Sequence, residues 1–477
     1  MMSTRRVPTH TRFLSYTLLL ILGCYSAAAG GIDSSGYTET GFSLPVFWNG
    51  DQEYFRLSSD LMLTFSHSTD IVDLDASLLF RVDALNRAEE LQDTFLFIPG
   101  EITLSLYLES FDIKVGYQRF SWGRADGVNP SDLTNPVNMS SLSNLAVTER
   151  SERLLPVIGA GLTWYAKDTL IIEGIYLPSF TPPVLPSLSA SLPETLSGTQ
   201  IVLTYPATAP DSFEAGIRAN MLTSIGDFSV SYFYGFDEVP TLTAQTAVQD
   251  MGGYETGVLE TLRLSFDRVH IIAGDFAVPL QNVDLRGEAA FIITSDLRTE
   301  HVSVRNPFLH YTLSAGYTFF ESFRTTIAFS QKIIAGYEGV SDYPYSVQLP
   351  DQDAAYYDEA YTILFSPMVS GQRAPVMTSI MAAITTPLFS DYLELSVLAM
   401  YNLPEEYQSG PGTKLGDLLI SPSLSWQVAD AMEVTAGAHL FFSYLIDDEG
   451  TWISDPSTTF GMADTFDQAY LKARYSF

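Results

Sequence analysis

The chain ends on Gln468-Ala469-Tyr470-Leu471-Lys472-Ala473-Arg474-Tyr475-Ser476-Phe477. Every second residue of this segment is small or apolar, and the residues between them include two cations, Lys472 and Arg474. Because successive side chains of a β-strand point to opposite faces, the segment predicts a strand with one apolar face and one polar face.

The same alternation recurs along the chain. Segments 102–109 and 111–118 place an aliphatic or aromatic residue at every second position, and segment 323–330 does so except at Thr325. Lys114 and Arg324 are among the residues between them. A soluble β-sandwich shows the same alternation. The pattern therefore predicts strands without deciding what surrounds them.

Two kinds of connection join the predicted strands. Some are very short: Glu109-Ser110, Lys167-Asp168, Phe320-Glu321, Ser390-Asp391 and Ala429-Asp430. Others are long and rich in Pro, Gly, Ser and Asp: 122–153, 178–198, 336–375, 403–416 and 445–463. Short periplasmic turns at one rim and long extracellular loops at the other are typical of outer-membrane barrels.

Composition favours the same fold. Charged residues make up 17% of the chain and mean hydropathy is +0.11, which is too apolar for the charged surface of most soluble proteins. Beyond the N-terminal segment, the longest uncharged stretch, 174–193, contains five prolines and does not suit a membrane helix. We therefore predict an all-β protein, a transmembrane antiparallel up-and-down β-barrel of about 14–20 strands. An ambiguous hairpin in 236–254 leaves the number open.

The N-terminal segment predicts export. Arg5, Arg6 and Arg12 precede an apolar core at 13–23, and an Ala-rich cleavage site follows at 27–29. This divides the chain into a signal peptide, 1–29, and a barrel domain, 30–477. Cys24 is the single cysteine, and lipidation of Cys24 is the alternative processing route.

The net charge of the chain limits the kinds of partner that it is expected to bind. Removing the three leader arginines from 24 basic residues leaves 21 against 56 acidic residues, a net charge of −35. Nucleic acid is excluded as a partner because phosphate binding needs clustered Lys and Arg. The expected partners are the lipid bilayer, lipopolysaccharide or another outer-leaflet lipid, and small solutes.

The last strand resembles the terminal strand that outer-membrane barrels present to their assembly machinery, in which alternate apolar residues lead to a final Phe. The resemblance implies that Leu471, Tyr475 and Phe477 act as the assembly signal and that the barrel assembly machinery is a partner. It also implies that the protein is integral to a bacterial outer membrane.

A second resemblance rests on a longer motif. After Gly116 and Gln118, the sequence runs Trp122-Gly123-Arg124-Ala125-Asp126-Gly127-Val128-Asn129-Pro130-Ser131-Asp132-Leu133-Thr134-Asn135-Pro136. This segment, with a proline-rich stretch at 176–186, resembles a strand-to-loop motif of poorly characterised porin-like outer-membrane barrels of Gram-negative bacteria. The resemblance implies architecture and location and no substrate. For the loop itself, a rigid packing element anchored by Trp122 and a constriction or ligand platform remain alternatives.

Strand parity predicts which side chains face the lumen. Acidic residues on that face include Asp60, Asp112, Glu288 and Glu394. Charges inside a barrel fit a water-filled pore that selects ions, or a paired network that plugs a narrow barrel. The pore-lining candidates are Arg56, Lys114, Gln118, Trp122, Arg263, Arg286, Arg324, Lys472 and Arg474.

The predicted function is an outer-membrane channel for diffusion of small solutes. Enzyme and nucleotide-binding motifs such as H-E-x-x-H, G-x-S-x-G and the P-loop are missing from the sequence, so we expect no enzyme activity, cofactor or metal. Two alternatives stay open: a transporter of hydrophobic ligands, and a structural or adhesive barrel that acts through its acidic loops.

Overall fold

The computed structural model describes residues 32–46, 54–87, 90–132, 134–138, 154–184, 199–207, 210–250, 255–298, 301, 303–320, 322–338, 353–389, 392–406, 414–446, 452–453 and 467–477. The predicted signal peptide and Cys24 lie outside these residues. In the part of the chain so described, no helix has the length and apolar character needed to cross a membrane.

The central feature is a closed antiparallel barrel of 18 strands. Each strand pairs with its neighbours in sequence along an antiparallel ladder, and the last strand pairs with the first. The strands are β1 Asp33–Pro45, β2 Tyr54–Ser68, β3 Val72–Arg87, β4 Glu90–Tyr107, β5 Phe111–Gln118, β6 Val157–Lys167, β7 Leu170–Leu177, β9 Glu214–Thr223, β10 Gly226–Phe236, β13 Arg268–Leu280, β14 Val283–Ile293, β15 Phe308–Phe319, β16 Phe323–Ile334, β17 Val376–Leu388, β18 Leu393–Glu406, β19 Lys414–Ala429, β20 Met432–Ile446 and β22 Gln468–Ser476. The predicted fold class is confirmed, and the strand number lies within the predicted range.

The C-terminal strand closes the barrel. β22 lies between β20 and β1, and Phe477 extends the pairing with β1 through two backbone hydrogen bonds to Gly36, each 2.9 Å long. Leu471, Tyr475 and Phe477 are exposed on the outer face, whereas Lys472 and Arg474 reach Glu39 of β1 inside. The amphipathic alternation of this segment therefore sets which face of the barrel is apolar.

The same polarity holds around the wall. Outward positions carry exposed apolar side chains, such as Ile158 on β6, Val230 on β10 and Ile327 on β16. Inward neighbours are polar or are covered from within, as for Asp275 on β13 and Ser330 on β16. An apolar exterior around a polar interior is the arrangement of an outer-membrane barrel.

The predicted turns lie at one rim. All five lie within one residue of a connection between consecutive strands, and both chain ends of the barrel meet at this rim as well. The opposite rim carries the long segments, with two differences. The predicted loop 403–416 is shorter, because β18 runs on to Glu406 and β19 begins at Lys414. Strands β3 and β4 are joined by residues 88–89 alone, because the strands themselves extend into a long hairpin.

Three further strands and a helix lie outside the barrel sheet. β8 Gln200–Thr204, β11 Thr241–Asp250 and β12 Glu255–Ser265 form a separate sheet, and α1, Ala354–Ser370, packs on it. These elements come from three different long segments, so they lie beyond the long-loop rim. A two-residue strand, β21 Trp452–Ile453, pairs with the end of β20.

This small sheet corrects one prediction. Arg263 lies on β12, is exposed, and has no place on the barrel wall. Its neighbours Leu262 and Leu264 face Phe365 of α1 in a buried cluster, not lipid. The alternation around Arg263 correctly predicts a strand. The apolar face of that strand is covered by α1 and not by lipid, so the prediction that Arg263 lies in the lumen is wrong.

Candidate functional site

A loop that follows β5 folds into the barrel. We call the described part of this segment, residues 119–132 and 134–138, the inner loop. Its Arg124 contacts β9 and β13, and its Asp126 contacts β14 and β15. At Gly127 an added Cβ would collide with the thioether of Met381 on β17, so the tip touches that strand. The inner loop thus crosses the lumen from β5 to β17.

Side chains of the loop motif fix its shape. The backbone N–H of Phe120 donates to Oδ1 of Asn135 at 3.0 Å, and Nδ2 of Asn135 donates to the carbonyl of Phe120. Nδ2 of Asn129 donates to the carbonyl of Ala125 at 2.6 Å. Short amide side chains that bond nearby backbone stabilise turns. The asparagines of the motif therefore hold the loop as a rigid unit.

Glu288 of β14 anchors that unit to the wall. Its carboxylate accepts hydrogen bonds from the backbone N–H groups of Arg124 at 3.0 Å, Ala125 at 3.2 Å and Ser131 at 2.5 Å, and from Oγ of Ser131 at 2.6 Å. Gly123 allows the close approach: its φ is +91°, and an added Cβ would lie 2.5 Å from Oε2 of Glu288. A buried carboxylate is stable only when its lone pairs are bonded in this way.

A second anchor is a buried ion network. Asp275 of β13 accepts two hydrogen bonds from Nη2 of Arg218 on β9, at 3.0 and 2.9 Å, and one from Nη1 of Arg124 at 2.6 Å. Asn220 and Ser229 bond the remaining donors and acceptors of the network. Removing one partner of such a network leaves an uncompensated charge, which costs about 3–5 kcal/mol.

Apolar packing covers the same part of the wall. The indole of Trp122 lies against Gly216 of β9, where an added Cβ would be 2.7 Å from the ring. Burying one such large side chain contributes about 1.5–3 kcal/mol. The cluster comprises Phe120, Trp122, Val157, Ile175, Leu177, Phe233, Val269, Ile271, Ala273, Ala290, Ile292, Phe308 and Ile334. We call the strands that it joins, β6, β7, β9, β10 and β13–β16, the covered arc.

The remaining strands, β17–β20, β22 and β1–β5, form the open arc. Three arginines of this arc are ion-paired across adjacent strands: Arg56 with Asp83, Arg81 with Asp60, and Arg474 with Glu39. The arginine side chains keep 36%, 34% and 38% of their surface exposed. These ion pairs are therefore solvated, in contrast to the buried network of the covered arc.

Two further cations of the predicted set differ from the paired arginines. Lys114 on β5 and Arg324 on β16 are at inward positions, and neither has an ion partner among the residues that the structure describes. Lys472 lies 3.7 Å from Glu39, and Arg286 pairs with Asp126 of the inner loop at 2.9 Å. The inward-facing cations of the barrel thus include both neutralised and free charges.

The family model described as "Protein of unknown function (DUF1302)" matches residues 83–338, which is more than half of the chain. The chain belongs to this family. The matched region contains the inner loop, both of its anchors and the proline-rich stretch at 176–186. No curated protein matches the chain.

Solved structures similar to this DUF1302 barrel include Pseudomonas aeruginosa OccK5 (OpdH), at 11% identity and a TM-score of 0.49, covering 94% of this chain and 98% of that one. Acinetobacter baumannii OccAB4 is 9% identical with a TM-score of 0.48, covering 94% and 98%. Pseudomonas aeruginosa OpdL is 12% identical with a TM-score of 0.46, again covering 94% and 98%.

Two predicted pore-lining residues of this DUF1302 barrel are not in the pore. Gln118 is 1% exposed and donates from Nε2 to the carbonyls of Lys114 and Gly159, and Trp122 is 4% exposed within the cluster. Parity placed both inside the barrel, but Gln118 is buried at the base of the inner loop, and Trp122 is a residue of that loop packed into the cluster. Conversely, Arg218 and Asp275 anchor the loop without having been predicted. Parity had put Glu288 on the lumen face but gave no sign of its bonds to the loop.

Proposed function

We propose that this protein is an outer-membrane channel through which small polar solutes diffuse, and that the passage runs between the inner loop and the open arc. One observation carries the proposal. The inner loop is bonded to one part of the wall, and the opposite part presents charged side chains that remain accessible to water.

Solvation of the open arc supports a wet passage. An ion that is buried without full compensation costs several kcal/mol, so a dry plug would require the kind of complete bonding found around Asp275. Pairs such as Arg81 and Asp60 need less compensation, because water reaches the guanidinium group of Arg81. Charges on a water-filled path select ions by sign.

The inner loop sets the width of the passage. Glu288 and Asp275 hold the loop on one side, and the tip at Gly127 reaches Met381. A loop bonded at several points keeps a fixed cross-section, which favours selection by size over transport of large ligands. In this proposal the protein moves solutes down their gradient and catalyses no reaction.

The test is conductance of the purified full chain in planar lipid bilayers. Steady current steps, together with swelling of proteoliposomes in small sugars but not in large ones, are expected. A membrane-inserted, heat-modifiable protein that carries no current and admits no sugar would overturn the proposal. Uptake of an apolar ligand by such a silent barrel would favour the hydrophobic-ligand transporter instead.

Export and assembly complete the proposal. We infer cleavage of residues 1–29 before assembly, which a mature N-terminus at Gly30 would support and a diacylated Cys24 would contradict. Leu471, Tyr475 and Phe477 are exposed on the outer face of the closing strand, where an assembly factor has access to them. Loss of membrane-inserted protein on deletion of Phe477 is the expected result.

A further inference from the structure

A cavity of about 650 Å³ opens from the lumen into the wall near the short-turn rim. It is formed by the starts of β1, β3 and β5 and the ends of β2, β4 and β22, so it lies between that rim and the inner loop. Its volume falls within the range of about 300–1,000 Å³ that is usual for small-molecule sites. None of the paired arginines of the open arc lines it.

The cavity contains charges of both signs that remain uncompensated. Lys114 and Asp75 line it, and neither has an ion partner or side-chain hydrogen bond within the described ranges. Nearby acids are already bonded: Asp112 accepts a hydrogen bond from the hydroxyl of Tyr165 at 2.5 Å, and Glu101 accepts one from the backbone N–H of Arg119 at 2.6 Å. Of the three charged side chains that line the cavity, Lys114 and Asp75 are therefore the two whose charged groups have no bonded partner among the described residues.

Register explains why these two charges do not neutralise each other. Lys114 pairs with Ser105 of β4, whereas Asp75 pairs with Thr103 of β4 on its other side. Strands lie about 4.8 Å apart, so one intervening strand and a stagger of two residues separate the two backbones by roughly 10–12 Å. The gap between the side chains is lined by hydroxyls, including those of Ser77 and Thr103.

We propose that this cavity is a binding subsite for small zwitterions on their way through the channel, with Lys114 binding the carboxylate and Asp75 the ammonium group. The inference rests on the proposed function and names a solute class for it. A dianion would meet the charges of Asp75 and Glu101, and a simple cation would meet Lys114. A molecule with one charge of each sign meets an opposite charge at both ends, and charged hydrogen bonds are the stronger ones.

The experiment uses three probes of one chain length: 4-aminobutyrate, butyrate and butylammonium. Each is added to the full-length channel in planar bilayers at low salt, and the concentration that halves the ion current is measured. We expect 4-aminobutyrate to act at a concentration about tenfold lower than either single-charge probe, because each charged contact is worth about a factor of ten or more. Lys114→Met and Asp75→Asn should each remove about that advantage.

Lys167→Met is the matched control. It makes the same substitution on the neighbouring strand β6, at an exposed position outside the cavity, and should leave the block by 4-aminobutyrate unchanged. Two results would contradict the subsite while leaving the channel function intact. One is block by butyrate at the same concentration as 4-aminobutyrate, and the other is unchanged block by 4-aminobutyrate in both Lys114→Met and Asp75→Asn while steady current steps persist. A wild type that carries no current without any probe would instead overturn the proposed function.

Discussion

The covered arc and the open arc each contain an arginine that donates two hydrogen bonds to an aspartate, but the two pairs differ in how far they are exposed to solvent. Arg218 and Asp275 keep 7% and 2% of their side-chain surface exposed, whereas Arg81 and Asp60 keep 34% and 12%. The same pair of functional groups therefore acts as a structural anchor in one place and as a solvated surface in the other. Burial by the inner loop, and not residue type, separates the two roles.

Replacing Glu288 should have the largest effect on the difference between the covered arc and the open arc. Glu288→Ala removes the acceptor of five hydrogen bonds from the inner loop, so the loop should leave the wall and conductance should rise several-fold. Single-channel recording measures the change. Glu394→Ala, at an inward position of β18 with no bonded partner among the described residues, is the control. An unchanged conductance in Glu288→Ala would mean that Glu288 does not hold the loop.

The two arginine–aspartate pairs allow a direct comparison. Arg218→Met should lower the free energy of unfolding by about 3–5 kcal/mol, because it leaves Asp275 buried and undercompensated. Arg81→Met should lower it by less than Arg218→Met does, because the pair of Arg81 with Asp60 is more open to water than the pair of Arg218 with Asp275. Urea titration in lipid vesicles measures both. Equal losses in the two variants would show that the arcs do not differ in solvation.

A substitution at Gly123 should disturb the contact between the inner loop and Glu288 less than removal of Glu288 does. Gly123→Ala places a methyl group against the carboxylate of Glu288 and forces a non-glycine residue to a φ of +91°, at a cost of about 1–3 kcal/mol. We expect a noisier channel with brief openings to a larger conductance. Gly174→Ala, where an added Cβ meets nothing within 4 Å, is the matched control. Quiet steps of wild-type size in Gly123→Ala would contradict the geometry.

The smallest effect concerns ion selectivity, for which a cation of the covered arc that is unpaired among the described residues, Arg324, is compared with a paired cation of the open arc, Arg474. Reversing Arg324 to Glu should shift the reversal potential toward cation selectivity, and more so at low salt, because screening acts over about 8 Å at physiological ionic strength. Arg474→Glu should shift it less. Lys472 remains 3.7 Å from Glu39 in this variant and offsets part of the added negative charge. No shift in Arg324→Glu would mean that this side chain lies off the conducting path.

Sequence patterns predicted the parts of the fold that depend on local alternation. The terminal strand, the short turns and the inward parity of Arg56, Arg324 and Lys472 follow from a two-residue period and an apolar exterior. The same rule misplaced Arg263, because α1 covers the apolar side of β12 just as lipid covers the barrel. Alternation indicates that one face of a strand is buried, but it does not indicate whether lipid or another part of the protein covers that face.

Local alternation could not predict the residues that anchor the inner loop. Glu288 lies 157 residues from Ser131, and Asp275 lies 151 residues from Arg124, so no local spacing connects them. Strand parity assigns Gln118 and Trp122 to the lumen face, yet their exposure depends on how the inner loop packs against strands that are distant in sequence, such as β9. Long-range docking is decided by the closed barrel as a whole, and one strand contains little information about it.

Closure of the barrel through β1 and β22 has a kinetic consequence. Glu39 and Arg474 meet across 435 residues of chain, and bringing such distant segments together costs about 5 kcal/mol in chain entropy. This seam must therefore be among the last contacts to form, and until then β1 and β22 each present an unpaired edge open to pairing with other chains. A molecule lacking β22 would remain an open sheet with edges at β1 and β20, so the last strand also protects the barrel from edge-to-edge aggregation.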